Sequence, residues 1–300
     1  MKRMKGDKRC DDGDIISSQF HHHPPLADPD SPYVRAKHLQ LVEKDPDAAI
    51  VFFWKAIHVG DRVDSALKDM AVVLKQQDRA EVAIDAIRSF RDRCSVQAQE
   101  SLDNVLIDLY KKCGRLEEQI ELLKQKLWMI CRGSVFNGKP TKTARSHGKK
   151  FRVTVEQETS RILGNLGWAY MQLGKYAAAE LVYQKAQVIN PDSNKACNLA
   201  YCLIKQARYA EARPVLEDVL RGAFAGSDDP KSRSRAEEMM SELSQSQSQS
   251  ASPPEWTSFV GLADPFIEEI DQLMREWVPS RSKRLPVFEE ISPFRNQFVC

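Results

Sequence analysis

The stretch from Leu163 to Pro191 constrains this chain more than any other segment, because its small and aromatic residues fall where two antiparallel helices must meet. Gly167 and Ala179 stand at the points of closest approach, and Tyr170, Tyr176 and Tyr183 fill the space on either side. Leu163, Leu166 and Ala186 extend the apolar faces. Gly174 permits the turn between the two helices, and Pro191 stops the second. The segment therefore specifies a helical hairpin.

The pattern recurs. A second, degenerate copy carries Leu199, Ala200, Leu203, Ala207, Tyr209, Ala212, Leu216 and Val219, and Met70, Ala71, Leu74, Ala83, Ile87 and Phe90 trace another upstream. Ala49, Phe53 and Ala56 precede the last three of those at one repeat length, and Leu106, Ile107, Tyr110, Gly114, Leu116 and Leu123 mark a further pair. These are the positions of the tetratricopeptide (TPR) repeat. The predicted fold is an all-α TPR helical-hairpin solenoid with a disordered N-terminus and a flexible C-terminal tail. Stacked repeats bury one continuous core and present one shared face, a scaffold for binding rather than catalysis.

Composition adds bounds. A net charge of +2, from 44 basic and 42 acidic residues, predicts no whole-molecule attraction to nucleic acid or membrane. The apolar run 48–54 is too short to span a bilayer, and the N-terminus lacks the apolar core of a signal peptide. Seven cysteines without a C-x-x-C pair fit free thiols in a reducing, intracellular compartment.

The expected organisation is a disordered leader over 1–30, a solenoid over 31–222 interrupted by a basic insertion at 131–155, and a capping helix within 223–243. A Ser/Gln-rich linker follows at 244–257, then a tail over 258–300. The tail holds an acidic amphipathic helix, 264–277, with Phe266, Ile267, Ile270, Leu273, Met274 and Trp277 on one face, and a basic cluster of Arg281, Lys283 and Arg284. That helix suits either a partner's groove or the solenoid's own.

From Leu122 to Val155 there is no acidic residue, and Asn137, Gly138, Pro140, Ser146 and Gly148 predict a loop. Lys139, Lys142, Arg145, Lys149 and Lys150 make it a basic loop, suited to an acidic protein surface or to phosphates, or else simply solvated. Without interleaved aromatics, direct nucleic-acid binding is disfavoured.

The binding groove is expected on the first helix of each repeat, lined by Lys68, Val72, Lys75, Asn104, Asp108, Lys111, Arg161, Trp168, Met171, Gln172, Tyr201 and Lys205. This mixed basic and aromatic set suits a peptide with acidic and apolar side chains, anchored by Trp168 and Tyr201. Capture of a C-terminal carboxylate needs Lys and Asn one turn apart. Here Lys68 is followed by Val72, and Asn104 by Asp108. Asn165 and Asn198 are expected to satisfy backbone groups between repeats. His21, His22, His23, His38, His58 and His147 form no catalytic or metal-binding motif, and Asp45 and Asp47 around Pro46 are helix-start chemistry. No enzyme, metal site or cofactor is expected.

Several long strings resemble a known family: S-P-Y-V-R-A-K-H from Ser31, G-D-R-V-D-S-A-L-K-D-M-A-V-V from Gly60 and S-L-D-N-V-L-I-D-L-Y-K-K-C-G-R from Ser101. F-N-G-K-P-T-K-T-A-R-S-H-G-K-K-F from Phe136 and the ending K-R-L-P-V-F-E-E-I-S-P-F-R-N from Lys283 complete the set. They resemble the plant Sulfur Deficiency-Induced proteins, which group with the Pollenless-type TPR proteins of male sterility. The resemblance implies a nuclear, non-enzymatic regulator that responds to sulfate shortage, helps mobilise stored sulfur and represses glucosinolate synthesis by binding a MYB-type transcription factor. The Pollenless branch implies instead a role at exit from meiosis. Neither branch supplies a catalytic residue or a small-molecule substrate.

Overall fold

The computed structural model describes residues 31–146, 149–249 and Glu268. The chain is an all-α solenoid of helical hairpins. Helix α1 (Pro32–His38) runs on through a π-helical turn, Leu39–Glu43, and pairs with α2 (Pro46–Val59). The next pairs are α3 (Val63–Gln76) with α4 (Ala80–Phe90), and α5 (Val96–Cys113) with α6 (Leu116–Cys131). After an insertion come α7 (Val155–Gln172) with α8 (Tyr176–Ile189), α9 (Ser193–Lys205) with α10 (Tyr209–Leu220), and then α11 (Pro230–Gln249).

Local chemistry sets the boundaries. Asp45 caps α2 by accepting from the Ala48 amide at 3.0 Å, with Pro46 in the first turn, so this aspartate does begin a helix. Thr154 and Gln157 form a reciprocal capping box at α7. Gly174, at φ +73°, makes the turn into α8 in a conformation that costs other residues strain.

The core divides into two clusters, one built by α1 to α5 and the other running from Ile107 of α5 through to α11, and Leu122 packs against both. Ala179, Tyr170, Tyr183 and Ala186 are buried as the hairpin pattern requires. A Cβ placed on Gly167 would sit 2.9 Å from the Tyr183 ring. That ring cannot retreat: Tyr183 is fully buried, and Asn198 of α9 donates from Nδ2 to its hydroxyl at 3.0 Å. Asn198 therefore serves a side chain of the preceding repeat, not the backbone group expected of it. Ser160 donates to the Ala186 carbonyl at 3.0 Å and joins α7 to α8 in the same layer.

Burial raises the thiols of Cys94 to about 11 and Cys202 to about 12, which makes them unreactive filler. Gln119 is fully buried with both amide atoms unpaired, an uncompensated cost.

The insertion differs from the expected loop. Thr141–Ser146 (β1) and Lys149–Thr154 (β2) form an antiparallel hairpin, with Thr141 opposite Thr154 and Lys142 opposite Val153. The β-branched and aromatic residues Thr141, Thr143, Phe151 and Val153 alternate along these strands and outweigh the flanking Gly and Pro. Helix α11 buries Ala236, Met239 and Leu243 against the second core cluster, as a cap would, and continues through Gln249. It thus enters the segment assigned to the Ser/Gln linker, which has no Gly or Pro before Pro253 to stop a helix. The leader, and the tail apart from Glu268, lie outside the described residues.

Gly167→Ala should destabilise the protein by about 1–3 kcal/mol despite alanine's higher helix propensity, because the added methyl overpacks against Tyr183. Urea unfolding followed by circular dichroism will measure this; an unchanged midpoint would show that the ring yields.

Candidate protein-binding site

All twelve residues expected to line the groove fall on the four first helices α3, α5, α7 and α9. Lys68, Val72 and Lys75 lie on α3; Asn104, Asp108 and Lys111 on α5; Arg161, Trp168, Met171 and Gln172 on α7; Tyr201 and Lys205 on α9.

Many of these side chains join neighbouring first helices to one another. The Lys68 ammonium donates to Ser101 at 2.7 Å, and Lys75 pairs with Asp108 at 3.2 Å, both from α3 to α5. Arg161 donates to Asn104 at 2.9 Å, and the Lys111 ammonium lies 4.0 Å from the Trp168 ring centre, both between α5 and α7. Tyr33 of α1 donates to Asp69 of α3 at 3.0 Å, so the row of contacts reaches the first repeat. Lys68, Lys75, Asn104, Asp108 and Arg161 thus serve as cross-links within the stack.

The remaining residues form the available surface. Trp168, Met171 and Tyr201 are half-buried against the core, each with an edge in solvent, while Gln172 and Lys205 are exposed and Val72 is half-buried. Tyr176 packs edge-on to Tyr201 at 6.2 Å, and Lys205 lies 5.2 Å from the Tyr201 ring centre. Aromatic faces with a cation on each side suit an apolar side chain next to a carboxylate. Tyr176 is the groove residue missed in the sequence, where its consensus position marked it for packing only.

The basic residues of the insertion separate. Lys139 and Lys150 are exposed. Lys142 is not available to a partner: its ammonium reaches Glu100 of α5 at 3.2 Å and Glu158 of α7 at 3.4 Å, and lies 4.5 Å from the Phe136 ring centre. It fastens the hairpin to the solenoid. Arg145 and Lys149 occupy facing strands next to the hairpin's end.

Glu158 is the anchor for this clamp and is only 3% exposed. Burial alone would push its carboxyl upward, but two hydrogen bonds from Arg161, with the charges of Arg161, Lys142 and Lys126, bring it down to about 2.

Comparison with known proteins follows this architecture. The tetratricopeptide repeat model matches residues 160–193, the α7–α8 hairpin and the start of α9. Protein SULFUR DEFICIENCY-INDUCED 2 of Arabidopsis thaliana is 61% identical over 303 residues, covering 100% of this chain and 99% of that protein. The chain belongs to the SULFUR DEFICIENCY-INDUCED family. Protein SULFUR DEFICIENCY-INDUCED 1 of the same plant is 63% identical over 273 residues, covering 90% of this chain and 88% of its own length. Protein POLLENLESS 3-LIKE 2, also from Arabidopsis thaliana, is 59% identical over 233 residues, covering 76% of this chain and 54% of that protein. The family is thus one of TPR repeat proteins. Among the described residues no helix is long and apolar enough to cross a membrane, and no cluster of His, Cys, Asp and Glu could hold a metal ion.

Two outcomes test the clamp. Lys142→Met should lower stability by about 1–3 kcal/mol and speed amide exchange in 141–154, whereas neutralising Lys139 and Lys150 together should leave both unchanged. Equal effects would mean that the hairpin is held by general charge. The depressed Glu158 carboxyl stabilises the fold fully above its ordinary value of 4.5, and that contribution is lost as pH falls toward about 2. Thermal melts across that window should fall less steeply for Glu158→Gln than for the native chain; parallel curves would contradict the assignment.

Proposed function

We propose that this chain is a non-enzymatic nuclear adaptor of the low-sulfur response. Its first-helix face captures an acidic, apolar segment of a MYB-type transcription factor, represses glucosinolate synthesis through that contact, and favours the use of stored sulfate. The observation that supports this branch is coverage: identity to SULFUR DEFICIENCY-INDUCED 2 extends over 100% of the chain and 99% of that protein. Likeness to POLLENLESS 3-LIKE 2 extends over 76% of the chain and 54% of that protein.

The chemistry of the face supports the mechanism. Trp168 and Tyr201 offer half-buried aromatic anchors flanked by Lys111 and Lys205, the arrangement in which a few residues carry most of the binding energy. No small-molecule substrate enters this reading, and direct nucleic-acid binding is not part of it.

A meiotic adaptor of the Pollenless type is the second reading, favoured by the 59% identity over the shared region. Transcript timing separates the two: induction by sulfate starvation in roots and leaves, or expression in anthers at meiosis.

The combined variant Trp168→Ala, Tyr201→Ala should lose at least tenfold in recovery of a MYB-type partner from sulfur-starved tissue while keeping its helical circular dichroism. Undiminished recovery by a folded variant would move the binding surface off this face.

A further inference from the structure

The outward face of the β1–β2 hairpin gathers positive charge that no carboxylate of the chain answers. Directly opposed residues of an antiparallel pair share one face of the sheet. The register therefore sets Lys142, Phe151 and Val153 on one face, and Thr143, Arg145, Lys150 and Arg152 on the other. Lys142 reaches Glu100 and Glu158, so the first face is turned to the solenoid, where Lys142 and Val153 are half-buried. Phe151, nearer the turn, stays 48% exposed. On the second face Thr143, Lys150 and Arg152 are exposed.

Arg145 stands directly opposite Lys150, and Arg152 follows two residues along the same strand. Like charges in opposed positions destabilise a sheet, and an anion lying over them relieves the repulsion. The chain supplies none from within, because there is no acidic residue from Leu122 to Val155. Among the described residues Lys139, Lys150 and Arg152 enter no ion pair. The face is nevertheless held firmly. Lys142 fastens one strand, and Thr154 at the end of the other caps α7 by accepting from the Gln157 amide at 3.2 Å.

Its position joins it to the first-helix face. Glu158, which holds Lys142, also accepts from Arg161, and Arg161 donates in turn to Asn104. The hairpin thus borders the groove near the start of α7. Trp168 lies further along the same helix from Glu158 by about 15 Å, at 1.5 Å per residue. An extended partner segment crosses that distance with about five residues.

We propose that the outward face of this hairpin is a second contact for the protein bound by the first-helix face, and that it takes a run of Asp and Glu. The inference rests on the adaptor reading and deepens it, because the partner is then bipartite. Apolar side chains meet Trp168 and Tyr201, and an acidic stretch about five residues away meets Arg145, Lys150 and Arg152. No aromatic residue interrupts the cations on this face, which favours carboxylates over stacked bases.

The test is fluorescence anisotropy on the full chain at low ionic strength, with a labelled oligoglutamate of about ten residues, long enough to cover the hairpin. Saturable binding is expected, weakened at least tenfold by the combined variant Arg145→Gln, Lys150→Gln, Arg152→Gln. That variant removes repulsion from an exposed face, so it should fold. The control Lys55→Gln, Lys231→Gln, Arg233→Gln removes equal charge from exposed positions elsewhere and should bind as the native chain does. Trp168→Ala with Tyr201→Ala should also bind normally, which keeps failure of the hairpin contact distinguishable from failure of the first-helix face. A peptide that adds two apolar residues to the oligoglutamate through a Gly/Ser link of about five residues should bind at least tenfold tighter, and lose that gain in the Trp168, Tyr201 variant. Equal weakening by both charge variants, tighter binding of duplex DNA of matched charge, or no gain from linking would overturn the proposal.

Discussion

The close approach of α7 and α8 at Gly167 is the contact on which the rest of this structure depends. Only a hydrogen side chain lets the Tyr183 ring lie over the α7 backbone, and that ring in turn presents its hydroxyl to Asn198 of α9. One missing methyl group therefore links packing within a hairpin to packing between hairpins. The linkage sets the relative position of α7 and α9, and with it the spacing of Trp168 and Tyr201. Side chains that are to act on one ligand need such a fixed backbone.

The face built on this stack has two kinds of residue. Lys68, Lys75, Asn104, Asp108 and Arg161 hold adjacent first helices together through bonds of 2.7 to 3.2 Å. Trp168, Met171, Tyr176 and Tyr201 keep accessible aromatic or thioether edges. Exposed ion pairs contribute little energy one by one, so the row acts mainly to fix orientation, while the aromatic residues offer apolar area for association. Clamping by Lys142 extends the same logic to the insertion, which is joined to the solenoid through a buried glutamate rather than left as a free arm.

Much of this was legible in the sequence because steric rules act at short range. Gly167, Ala179 and Gly174 can be read as a hairpin from spacing alone, and periodicity placed the groove residues on α3, α5, α7 and α9. The insertion was not legible in this way. Its strands are short, and the turn-forming residues around them mask the alternation of Thr141, Thr143, Phe151 and Val153. Nor does periodicity reveal which cations are already committed to carboxylates. Lys142 and Lys150 look alike in sequence, yet one is bound to Glu158 across 16 residues and the other is exposed.

The central claim is that partners dock on the face of the first helices, and hydroxyl-radical footprinting tests it most directly because Trp, Tyr and Met side chains report their own exposure. Trp128 on α6, 43% exposed and stacked with Arg132, lies on a second helix and serves as an internal control. On binding a MYB-type regulator, Trp168, Met171 and Tyr201 should lose most of their reactivity while Trp128 keeps its own. Protection of Trp128 with unchanged reactivity at Trp168 and Tyr201 would contradict the account.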